Sequence, residues 1–143
     1  MASTTAPTPL QVVREVSLTR LYVMRAMYLL IVIGGGLVFL PPLFGHDPTA
    51  RGVIPSLLAA VWVLACFGIR YPLQMLPLLL FELVWKTIWF LDYGLPQWRA
   101  GVNTVQFKED FKAIAFAPAL FLLVIPWGYF YRHYLKKPGE RWH

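Results

Sequence analysis

The chain has 143 residues, of which 58% are hydrophobic and 14% are charged, and its formal net charge is +6. A soluble domain has about 45–50% apolar and about 25% charged residues, and a soluble chain this short could not bury so much apolar surface. The composition therefore excludes an ordinary soluble domain and indicates a membrane protein. The positive charge does not indicate nucleic-acid binding, because Lys and Arg cluster at the ends of the apolar runs.

Four apolar runs divide the chain. Residues 1–8 predict a disordered leader, and a capping Thr8 followed by Pro9 predicts a helix start. A membrane domain is predicted over residues 9–135, and residues 136–143 predict a basic cytoplasmic tail. Each run has 17 to 20 residues, which as a helix matches a hydrocarbon core of about 30 Å. Because backbone groups in lipid must pair within the segment, we expect an all-α protein, with spans at 21–40, 53–69, 73–91 and 113–131.

The distribution of Lys and Arg predicts the orientation of these spans. Eight of them fall on the side that holds both termini and the turn after span two, and four fall on the other side. Basic residues accumulate in the cytoplasm, so both termini are predicted there. The expected architecture is an antiparallel, up-down, four-helix membrane bundle. The inner (plasma) membrane of a bacterium is the default location.

Two further features concern helix packing. Gly34-Gly35-Gly36 lies in the first span and predicts a close helix approach that accommodates Trp62, Trp85 or Trp89, with a hinge as the alternative. The stretch 104–114 lacks a helix breaker and predicts an outward extension of span four, with a separate interfacial helix as the alternative.

The third span carries two charges near its middle. Glu82 and Lys86 are four residues apart, so they lie on one helical face and can form an ion pair. On a helical wheel the same face holds Trp85, Trp89 and Asp92, whereas the opposite face is apolar except for one Thr. Charged groups inside a membrane generally face the protein interior. These five residues are therefore the candidate ligand or ion site.

Two interpretations of this face remain open. In the first, the pair is structural and fixes the rotation of its helix against span four. In the second, the face binds a proton, an ion or a ligand headgroup. In a subsidiary hypothesis the Lys86 ammonium, or a water, bonds the carbonyl of Leu122, because Pro126 leaves that carbonyl without its helical donor.

Other residues give weaker predictions. Arg20, Arg25 and Arg70 fall on the cytoplasmic side and are candidate ligands for a lipid headgroup, with simple charge anchoring as the alternative. One cysteine excludes an intrachain disulfide and a zinc site built on several thiolates. No predicted span contains His, so neither a metal nor a haem cofactor is expected.

The sequence contains no recognised catalytic motif, and no catalytic residue is assigned. We therefore expect a non-catalytic accessory or scaffold subunit of a larger membrane complex. The alternative is an oligomeric transporter or binding protein for a small solute, proton or amphiphile. The expected partners are membrane lipid and either further copies of the chain or the larger complex.

Overall fold

A computed structural model of the chain describes residues 16–45 and 52–139, and at Phe39 the backbone alone. The predicted leader, the helix start at Thr8 and the end of the basic tail lie outside these ranges. Within them the protein is all-helical, as predicted, and has no strand. The helices are α1 (Leu18–Phe39), α2 (Pro41–Phe44), α3 (Val53–Arg70), α4 (Leu76–Trp89), α5 (Leu95–Arg99), α6 (Val105–Ala115), α7 (Ala117–Val124) and α8 (Trp127–Phe130). Two π-helical segments, Phe90–Gly94 and Tyr131–Leu135, follow α4 and α8.

Two helices are long and apolar enough to cross a membrane, α1 over Leu18–Val38 and α3 over Val53–Arg70. A third candidate joins Val105–Val124 to Trp127–Leu135, and this pair is bent by 71°. The described residues thus contain two such helices, or three if the bent pair counts as one span. The boundaries of α3 match the predicted second span, and α1 begins three residues before the predicted first span.

The third and fourth predicted spans differ from the observed helices. Residues 72–75 form a turn instead of helix, so α4 begins at Leu76, and the helical path continues through the π-helical segment into α5. The fourth predicted span, 113–131, is wrong as one straight helix because the chain breaks at Ile125–Pro126. Pro126 cannot donate a helical hydrogen bond, and it drives the preceding residue into an extended conformation with ψ 126°. The predicted extension of this span is helical as α6 and runs on with α7 over Val105–Val124.

The helices pack mainly as two pairs, α1 with α3 and α4 with α7, and smaller contacts join α1 to α7 and α3 to α4. The α1–α3 pair is antiparallel, because Tyr28 meets Gly68 at one end and Gly36 meets Trp62 nearer the other. Tyr28 is fully buried, and its hydroxyl donates to the carbonyl of Pro72 over 3.1 Å.

The predicted close approach at the glycines is observed with one of the three proposed tryptophans. The Trp62 indole donates to the carbonyl of Val32 over 2.8 Å, and a Cβ added at Gly36 would lie 3.2 Å from its Nε1. Nothing lies within 4 Å of a Cβ added at Gly34. Gly36 therefore faces Trp62, whereas Gly34 does not contact another helix.

Gly68 is the position where α1 and α3 tolerate no side chain. A Cβ at Gly68 would overlap the Tyr28 ring, so Gly68→Ala forces a buried ring to move. We expect the free energy of unfolding to fall by about 1–3 kcal/mol, the usual cost of overpacking. The measurement is thermal unfolding in detergent micelles. Gly34→Ala is the matched control and should leave stability unchanged or raise it, since Ala favours helix over Gly; equal stability of the two variants would contradict the prediction.

Candidate functional site

The polar centre of α4 is an ion pair between Lys86 and Glu82. The Lys86 ammonium donates to Oε2 of Glu82, one helical turn earlier, as the spacing predicts. Glu82 is only 4% exposed, and it is the one buried charged residue of the described chain. Leu78 and Leu79, on the same side of α4, are also buried, whereas Val84 on the other side is 54% exposed. The inward direction derived from the helical wheel is therefore observed.

Aromatic rings complete the surroundings of the ammonium. Nζ of Lys86 lies 4.2 Å from the centre of the Trp85 ring and 5.3 Å from that of Phe121. Cations are attracted to ring faces at such distances. Phe121 belongs to α7 and is 2% exposed, so the ammonium connects α4 to the interior of α7. Within the described residues Glu82 is its one hydrogen-bond acceptor, and the indole Nε1 of Trp85 is buried without a hydrogen-bond partner.

A groove of about 530 Å³ opens beside this ion pair, between α1, α4 and the α6–α7 region. Its volume is within the about 300–1,000 Å³ typical of small-molecule pockets. Glu82 and Lys86 are its charged lining residues, and four small residues leave room for it: Gly35, Ala113, Ala117 and Ala119. The groove is thus an apolar space with a charge-neutral ion pair on one wall.

Trp89 and Asp92 do not belong to this centre. The Trp89 ring lies against Gly94, where an added Cβ would be 2.8 Å from it, and Asp92 is exposed within the π-helical segment. Neither residue lines the groove. Trp89 ends α4 on the predicted face but lies two helical turns, about 10 Å, beyond Glu82. Asp92 lies in the π-helical segment, whose turn contains more residues than the helical wheel assumed and changes the direction of this side chain. The structure therefore joins Glu82, Trp85 and Lys86 and separates Trp89 and Asp92 from them.

The hypothesis that Lys86 binds the carbonyl of Leu122 is wrong. That carbonyl accepts a hydrogen bond of 2.7 Å from the indole of Trp127. Pro126 does deprive Leu122 of its helical donor, but the donor that replaces it is only five residues away in the chain. An indole next to the helix break reaches the carbonyl without a second helix.

The three candidate lipid-binding arginines have different surroundings. Nη2 of Arg20 donates to the carbonyls of Leu123 and Ile125, over 3.3 and 2.7 Å. The Arg25 guanidinium lies 5.5 Å from the ring centre of Tyr22, and Nε of Arg70 donates to the Tyr71 hydroxyl over 3.0 Å. Binding of a lipid headgroup stays a prediction for all three.

The role of Arg20 as a cap for α7 was missed from the sequence. Its partners are 103 and 105 residues away in the chain, and no sequence periodicity connects them. The available signal was Pro126, which leaves carbonyls needing donors. A basic residue at the same depth on another helix could supply them.

No group of three or more His, Cys, Asp or Glu side chains that could hold a metal occurs among the described residues. Comparisons with protein-family models, with curated proteins and with solved structures found no match.

Arg20→Met tests the cap on α7. Losing a charged donor from the carbonyls of Leu123 and Ile125 should lower the free energy of unfolding by about 1.5–3 kcal/mol. Arg25→Met is the matched control, since Arg25 is also half-buried but faces only a ring, and it should cost less than about 1 kcal/mol. Denaturant unfolding in micelles measures both. Equal losses of unfolding free energy in the Arg20 and Arg25 variants would contradict the capping role of Arg20.

Proposed function

We propose that the chain is a small multi-pass protein of the inner membrane, with both termini in the cytoplasm and helices α1, α3, α4 and α6–α7 as its four crossings. The excess of Lys and Arg on one side supports this orientation. Only 28% of the α1 window and 17% of the α3 window are buried within the chain. Such exposed apolar faces suit lipid or another membrane protein.

We infer a non-catalytic role as an accessory or scaffold subunit of a larger membrane complex. The observation that carries this inference is the pairing of Lys86 within the chain, with Glu82 as acceptor and the rings of Trp85 and Phe121 beside it. A charged pair used in this way fixes how α4 docks on α7. It gives the protein one defined shape to present to a partner.

The test is a cycle of Glu82→Gln, Lys86→Met and the double variant. Removing one member of a buried pair typically costs about 3–5 kcal/mol, whereas removing both leaves no orphan charge. A scaffold therefore predicts low membrane accumulation of each single variant and recovery of the double variant, measured by quantitative immunoblot of membranes, together with recovery of any growth phenotype.

The cycle has a control on α6, where the Gln106 amide donates to Asp110 across the same four-residue spacing but in an exposed position. Asp110→Asn should change accumulation little, because a Gln–Asp hydrogen bond at this spacing on a helix surface contributes about 0.2–0.5 kcal/mol. If all three variants of Glu82 and Lys86 accumulate normally but lose function, the scaffold proposal is wrong and a transport or proton site is favoured instead.

A second candidate function is binding of a neutral amphiphile in the groove of about 530 Å³. An ammonium has three N–H donors, and Lys86 uses one of them on Glu82. Because the pair is already neutral, a carbonyl or hydroxyl acceptor would add no net charge in these apolar surroundings. A monoacylglycerol is such an amphiphile, since it is uncharged and carries hydroxyl and ester carbonyl groups on one acyl chain.

Ala117→Leu tests this second candidate, because it fills the groove beside the ion pair. The probe is a dibrominated monoacylglycerol titrated into the protein in micelles, and the readout is saturable quenching of the Trp85 fluorescence component, identified with Trp85→Phe. Ala117→Leu should abolish this quenching. Ala60→Leu is the control, since Ala60 lines a groove of about 520 Å³ without a charged residue, and it should retain quenching. Equal quenching in both variants would exclude this site.

A further inference from the structure

The break after α7 is a fixed part of the fold. Ile125 is extended and Pro126 has ψ 83°, so no helix continues through them. The carbonyls freed by the break accept from Trp127 and from Arg20, as described above. Because these carbonyls are paired, the 71° bend between Val105–Val124 and Trp127–Leu135 is held by defined hydrogen bonds.

Beyond the bend, four large side chains are exposed. Trp127 is 39% exposed, Tyr131 52%, Tyr134 43% and Leu135 63%. Lys136 and Lys137 follow and are also exposed. From residue 111 to residue 139 the sequence has basic residues but no Asp or Glu.

We propose that the segment Trp127–Lys137 lies along the cytoplasmic bilayer surface, with its exposed aromatic and aliphatic residues at the headgroup boundary and its two terminal lysines on anionic lipid phosphates. Aromatic side chains with one apolar and one polar end prefer this boundary, and lysines near the surface attract anionic lipids. The inference goes beyond the scaffold role and rests on the proposed crossing by α6–α7 with a cytoplasmic C-terminus. A bend of 71° places the segment across the direction of α6–α7.

The geometry is tested by depth measurements on the full chain in vesicles. In a Cys66→Ala background, Gly128→Cys and Leu135→Cys carry a nitroxide, and depth is read from oxygen and nickel accessibility. Both positions are exposed, and nothing lies within 4 Å of a Cβ at Gly128. Seven residues along a span differ in depth by about 10 Å, whereas at 71° to it they differ by about 3 Å.

Leu30→Cys and Leu37→Cys on α1 are the matched reference, because they are also exposed and seven residues apart. We expect about 10 Å between the reference positions and about 3 Å between Gly128 and Leu135. Equal depth differences in the two pairs would overturn the proposal, since the segment would then continue along the span.

The lipid preference is tested with spin-labelled phosphatidylglycerol and phosphatidylcholine. Lys136→Gln with Lys137→Gln should lower the preference for the anionic lipid by up to about fivefold for each lysine. Lys108→Gln with Lys112→Gln on α6 removes the same charge from two exposed residues and should leave the preference unchanged. An equal loss from both pairs, or no loss from Lys136 and Lys137, would overturn the anionic-lipid assignment.

Discussion

Polar groups set among apolar side chains must find their partners within the chain, and this constraint accounts for most of the specific contacts of the protein. Lys86 donates to Glu82, Trp62 to a carbonyl of α1, Tyr28 to the α3–α4 turn, and Arg20 to the end of α7. Except for the Lys86–Glu82 pair, each of these contacts joins two elements distant in sequence. These polar contacts therefore favour the positions of α3, the α3–α4 turn and the end of α7 beside α1.

The same constraint separates what the sequence could predict from what it could not. Helix class, the boundaries of α3 and the inward direction of Glu82 follow from local periodicity and length. The pairing of Lys86 with Glu82 follows from their spacing. Thr87 is the one polar residue on the other side of α4. Its hydroxyl also finds a partner one helical turn away, since it donates to the carbonyl of Leu83 over 2.7 Å.

The sequence did not predict which residues of distant elements contact each other. Pro126 indicated that carbonyls would lack donors, but nothing in the local pattern distinguished Lys86, Trp127 and Arg20 as the source. The π-helical segment after α4 was also not predicted, and it changed the direction of Asp92 relative to the candidate site. The sequence therefore showed that carbonyls near Pro126 needed donors and that Asp92 was polar, but it did not show which residue donates or where Asp92 points.

The break at Pro126 has a consequence for the surrounding bilayer. Between Lys112 and the break only 12 apolar helical residues remain, 113–124, which span about 18 Å. Counted in the same way from Arg25, α1 has 14 such residues, 26–39, which span about 21 Å. In the proposed membrane arrangement both charge-free stretches are shorter than a hydrocarbon core of about 30 Å, so lipid beside them would thin or the flanking basic side chains would extend to the headgroups. Such mismatch would favour this protein where the bilayer is thin, or draw it toward neighbours that have an equally short side.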